Sequence, residues 1–167
     1  MAGRIRSGWV VAAVAVGVAA GAGIYLVARD SGGEDELPEA VRAELALVAR
    51  DVIERGSTPG LGQAGEWRAC GVRVIGADPP TLTSADQART VYVWAMCGTG
   101  GAVSSSSLIP VAVHLTDPPT SEGPGDGSRY GPDIRRIFPE RLQDAVFDDN
   151  HAAELEPAMS ARVTERS

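Results

Sequence analysis

Few side chains in this sequence have the chemistry of a catalyst, and their spacing decides what each could do. His114 lies in SLIPVAVHLT, residues 107–116, close to the serines at 104–107 and to Asp117. Together these are the residue types of a Ser–His–Asp hydrolase, but such assemblies are recognised by geometry and not by nearness in sequence. No Gly-x-Ser-x-Gly elbow is present. Alternation along an extended segment sets Ile109, Val111, Val113 and Leu115 on one face and His114 on the other, the position of a surface strand histidine.

Two further stretches have suggestive composition without the required spacing. CGTGGAVSSSS, residues 97–107, is glycine-rich like a phosphate loop, yet it lacks the Gly-Lys-Ser/Thr ending and precedes a strand. It reads as a hairpin loop. DDNHAAELE, residues 148–156, gathers acids around His151 but matches neither a calcium loop nor a His-x-x-x-His pair. It reads as solvated acidic surface. Two cysteines with no further ligands make no zinc site. No catalytic residue, cofactor or metal is expected.

Arg135, Arg136 and Arg141 form a local basic concentration and are a candidate partner patch. Their spacing also allows local pairing, Arg136 with Glu140 and Arg141 with Asp144. The chain as a whole is acidic. Beyond Asp30 it keeps 12 of its 15 arginines and 21 of its 22 acids, a net charge of −9. A basic footprint for phosphate backbones is missing, so no nucleic-acid partner is expected.

The cysteines carry a sharper expectation. If the first two strands pair as a hairpin, setting Cys70 opposite Cys97 also sets Val72 opposite Ala95 and Val74 opposite Val93. All six then share one face of the sheet. A Cys70–Cys97 disulfide is therefore expected, and with it an oxidising compartment.

The elements that must position these residues follow an apolar opening segment. Gly8 to Ala28 is a run of 21 residues without a charge, and about 20 helical residues cross a bilayer. Arg4 and Arg6 precede it, which favours an N-terminus inside and the bulk of the chain outside. Ala20-Gly21-Ala22 is a small-x-small cleavage site, but Ile24-Tyr25-Leu26-Val27 extends the run past it, as a retained anchor would. Ala13, Gly17 and Gly21 stand four apart, a small-residue face for transmembrane packing.

Residues 1–30 are accordingly read as cytoplasmic stub and transmembrane anchor, and 31–37 as a linker. An α+β domain is expected over 38–149 and a flexible tail over 150–167. The domain opens with one long helix, marked by Leu37, Val41, Leu45, Val48 and Val52. Three strand candidates follow, at 66–76, 89–97 and 107–116, bounded by Gly- and Pro-rich turns. Pro110 cannot donate to a ladder, so it marks a strand start, an edge or a bulge. Ile134, Ile137, Phe138, Leu142 and Val146 then give two short helices, with Pro139 opening the second. The expected architecture is an antiparallel sheet of about three strands with helices on one face.

The function this supports is a membrane-anchored, extracytoplasmic binding or interaction module of the cell envelope, with the membrane and an envelope protein as partners. The alternatives are a small envelope hydrolase using His114 and nearby acids, or a structural subunit of a membrane complex.

Overall fold

A computed structural model describes residues 34–56, 58, 60–61, 67–99, 106–148 and 151–166. The expected anchor, with Ala13, Gly17 and Gly21, lies outside the described residues. Among the described residues, no helix is long and apolar enough to cross a membrane.

The chain runs α1 (Glu39–Arg55), β1 (Arg68–Asp78), β2 (Thr90–Thr99), β3 (Ser106–His114), β4 (Thr120–Glu122), α2 (Tyr130–Ile137), α3 (Glu140–Phe147) and α4 (Ala152–Arg166). Single 3-10 turns at Ala85–Gln87 and Gly127–Arg129 punctuate the loops. The strands form one antiparallel sheet in the order β1-β2-β3-β4. The class is α+β, with four strands where about three were expected. The extra strand is only three residues long and lies inside a turn-rich segment, too short for alternation to show.

The hairpin register is the one the cysteines imply. Cys70 faces Cys97, Val72 faces Ala95 and Val74 faces Val93. The disulfide is formed, with the two Cα atoms 4.2 Å apart. Past Val74 a bulge at Ile75 shifts the pairing, so Ala77 and not Gly76 faces Val91. Ile75 lies on the opposite face from Val74 by alternation, and the extra residue brings Ala77 back to the face of Val74.

The sheet has two buried faces and not one. Val41, Leu45, Ala49, Val52 and Ile53 of α1 cover Cys70, Val74, Val91, Val93, Val111 and Val113. Val48, expected in that stripe, is 37% exposed, and Ala49 and Ile53 are buried instead. The other face carries Ile75, Trp94, Met96 and Ala112 under Ile134, Val146, Leu155 and Met159 from the last three helices and Phe138 from the junction between α2 and α3. Trp94 donates its indole N–H to the Ala145 carbonyl at 3.1 Å, which satisfies the one polar atom of a large buried ring. Helices on a single face were expected, and this corrects it. Large apolar side chains on alternate positions of β2 leave neither face suited to water.

Residues 152–166, expected to be a flexible tail, form α4 and bury Leu155, Met159 and Val163. The helix crosses β1 where Gly71 removes a side chain. A Cβ there would meet the Leu155 carbonyl oxygen at 2.5 Å. Residues 34–37, expected in a linker, lie against the sheet, with Asp35 and Leu37 buried. Pro110 sits mid-strand opposite Trp94. Because β4 covers only Ala112 to His114, β3 is an edge at Pro110, and no ladder bond is lost there.

Candidate functional site

The most elaborated polar region of the fold is the outer edge of β1. Cys70 and Cys97 stand 4.2 Å apart, the spacing of a non-hydrogen-bonded antiparallel pair. The N–H and C=O groups of Cys70, Val72 and Val74 therefore point away from β2. An edge of this kind invites unwanted strand pairing unless it is covered.

Charged side chains from four parts of the chain cover it. Glu54, at the end of α1, has a side chain only 3% exposed. Its Oε1 accepts the Cys70 N–H at 3.0 Å. Its Oε2 accepts Arg162 at 3.0 Å and Arg166 at 2.5 Å, both from α4. Arg166 also donates to the Arg68 carbonyl at 2.7 Å. Arg42 of α1 donates to the Val74 carbonyl at 2.5 Å and to the Asp35 carbonyl at 2.8 Å.

Asp35 closes the far end. Its backbone N–H reaches the Ile75 carbonyl at 3.0 Å, and its carboxylate accepts the Ala77 N–H at 3.0 Å. Arg141 holds that carboxylate at 2.9 and 3.1 Å and donates to the Ala77 carbonyl at 2.7 Å. Hydrogen bonding to Asp35 holds the Arg141 guanidinium above its ordinary pKa against the opposing pull of burial. A buried carboxylate so surrounded is costly to strip of its partners.

Between these caps lies a groove of about 290 Å³ along the side of α1. Ala43, Ala46 and Val72 form its apolar floor, and Glu34, Glu39, Arg42, Arg73 and Glu154 its rim. Arg73 bridges Glu34 and Glu154, each at 2.9 Å, and Arg42 lies 3.7 Å from Glu34. Burial lowers the Arg73 pKa, but Glu34 and then Glu154 outweigh it, so the guanidinium stays above its ordinary value. The rim therefore offers three carboxylates and two guanidinium groups around an apolar floor.

The sequence-expected residues are distributed differently. His114 pairs with Thr90, and its Nδ1 lies 3.2 Å from the Thr90 hydroxyl. Ser106 and Ser107 face Gly98 and Cys97 at the other end of β3. At about 3.3 Å per residue that is roughly 23 Å from His114 to Ser107. Ser104 and Ser105 lie outside the described residues, and Asp117 is exposed beyond the strand. Among the described residues, no three His, Cys, Asp or Glu side chains converge on a metal position.

All three arginines of the patch keep exposed side chains, and two of them are engaged by carboxylates of the same domain. Arg136 pairs with Glu122 of β4 at 2.7 Å and with Asp133 at 3.3 Å, not with Glu140. Arg141 goes to Asp35 and not to Asp144. For Arg141, an exposed pair with Asp144 would be worth a few tenths of a kcal/mol, too little to compete with the buried Asp35 carboxylate, which needs donors. Arg135 stays exposed beside an open recess of about 620 Å³ lined by Tyr92 and Phe138.

Sequence reasoning passed over Glu34, Asp35, Arg42, Glu54 and Arg73, and read Glu154 only as part of a solvated acidic stretch. One signal was available: Glu54 directly follows Ile53 on the buried side of an apolar stripe. No family model, curated protein or solved structure matches the chain.

Proposed function

We propose that the chain is a membrane-anchored, extracytoplasmic interaction module of the cell envelope. The observation that carries the binding role is the groove between α1 and β1, with its apolar floor and charged rim. Two observations support the location. The Cys70–Cys97 disulfide is the kind of bond that persists in oxidising compartments. The 21 uncharged residues from Gly8 to Ala28 are long enough to hold the domain at a bilayer. The domain presents its groove to an envelope protein, and the opening segment keeps it at the membrane surface.

Fractionation followed by intact mass tests the location. The expected species is membrane-bound and is alkylated at two positions only after reduction. A soluble species lacking the opening segment, or one with two free thiols, would overturn the anchored arrangement. A photocrosslinking residue at Ala43 tests the binding role in cells. It should trap a protein that the same residue at exposed Phe147 does not; equal trapping from both positions rejects the groove as the contact surface.

A further inference from the structure

The caps on the β1 edge leave one interval uncovered. The Cys70 N–H is taken by Glu54 and the Val74 C=O by Arg42. Between them the Cys70 C=O, the Val72 N–H and C=O and the Val74 N–H have no hydrogen-bond partner among the described residues. Acceptor, donor, acceptor and donor follow in order along one strand edge, and this edge forms one side of the groove. An apolar ligand would leave these four groups unsatisfied, whereas an extended peptide satisfies each of them.

We propose that the groove binds a short extended peptide segment of a protein partner as an added strand against Val72. This deepens the interaction-module reading and rests on it. The residue opposite Val72 turns its side chain to the α1 side, over Ala43 and Ala46, where a small apolar group fits. The rim carries three carboxylates against two guanidinium groups. Arg42 and Arg73 are already shared between Glu34 and Glu154, while no ion pair engages Glu39 among the described residues. A basic residue beside the apolar one is therefore favoured.

The same geometry disfavours a second folded copy. Asp35 bonds to Ile75 where a neighbouring strand would continue on one side, and Glu54 fills the corresponding position at Cys70 on the other. Only about three to five residues of unfolded chain can enter before meeting these obstacles.

The test uses the full chain in detergent micelles and a display library of seven-residue peptides with a fixed central valine and randomised flanks. Selected peptides are resynthesised with single backbone N-methyl groups. The expected result is enrichment of Lys or Arg beside the valine, and about tenfold weaker binding when alternate amides are methylated while the intervening ones tolerate it. Ala43→Trp, which fills the groove from the helix side, should abolish binding with the disulfide and thermal unfolding unchanged. Uniform tolerance of N-methylation would overturn strand addition and leave a groove that binds by side chains. Binding that survives Ala43→Trp would place it elsewhere and overturn the proposal. A library with no binder, or a full chain that self-associates through β1, would overturn the peptide as occupant, while crosslinking from Ala43 still reports separately on the interaction module.

Discussion

Replacing both cysteines by alanine should remove a large part of the stability of this domain. The bond joins residues 27 apart in sequence. Confining a loop of that length in the unfolded chain is worth about 3.5 kcal/mol on the chain-entropy estimate. Cys70 and Cys97 are 1% and 3% exposed and belong to the core beneath α1. Removing two sulfur atoms from that core adds roughly 1 kcal/mol of lost packing. The expected loss is about 4–5 kcal/mol, against a total of about 5–15 kcal/mol for an ordinary domain. For a domain of this size the melting temperature should fall by about 15 °C. Urea unfolding of the full chain in mild detergent, followed by near-ultraviolet circular dichroism of buried Trp94, measures the loss directly. The slope against urea should steepen as well, because the uncrosslinked unfolded chain exposes more surface. A loss below about 1 kcal/mol at unchanged slope would refute the reasoning, since it would mean that the bond does not restrict the unfolded state.

Other perturbations probe the covered edge and the second core. Glu54→Ala leaves Arg162, Arg166 and the Cys70 N–H without their shared acceptor. It should cost about 2–3 kcal/mol and speed amide exchange in α4 before the rest of the sheet; protection in α4 equal to that of the parent would reject the latch. Gly71→Ala places a Cβ 2.5 Å from the Leu155 carbonyl oxygen, and should cost about 1–3 kcal/mol while shifting the α4 amide resonances. Asp133 accepts the Gly125 N–H at 2.9 Å. That bond, opposed by desolvation and helped by Arg136, holds its carboxyl below the ordinary carboxylate value. Its contribution is then complete above the unfolded carboxylate pKa of about 4 and disappears as pH falls through the lower folded value. Melting curves between about pH 5 and pH 2 should fall less steeply for Asp133→Asn than for the parent, and parallel curves would exclude the linkage.

Much of the fold was legible where a strong local pattern met a single constraint. RTVYVWAMC reads as a strand because β-branched and aromatic residues fill it, and the two cysteines allow one register with its neighbour. The α1 stripe and the break at Pro139 were equally plain. The fourth strand was not, since three residues carry no periodicity. Helix α4 was obscured by Pro157 and a polar composition, although Leu155, Met159 and Val163 repeat at four and were there to be read. The edge caps were the least legible part. Glu54 and Cys70, Asp35 and Arg141, and Arg73 and Glu154 are separated by 16, 106 and 81 residues. Local spacing instead proposed partners for Arg136 and Arg141 that the fold does not use.

The sequence alone determined the α+β class, the hairpin register and the disulfide, because each follows from short-range alternation or from the scarcity of cysteine. The tertiary structure decided that the sheet is covered on both faces, which backbone groups of β1 are capped, and where the interval at Val72 stays open. These depend on which distant charges reach the same edge, and a hydrogen bond between residues a hundred positions apart leaves no periodic trace in the chain.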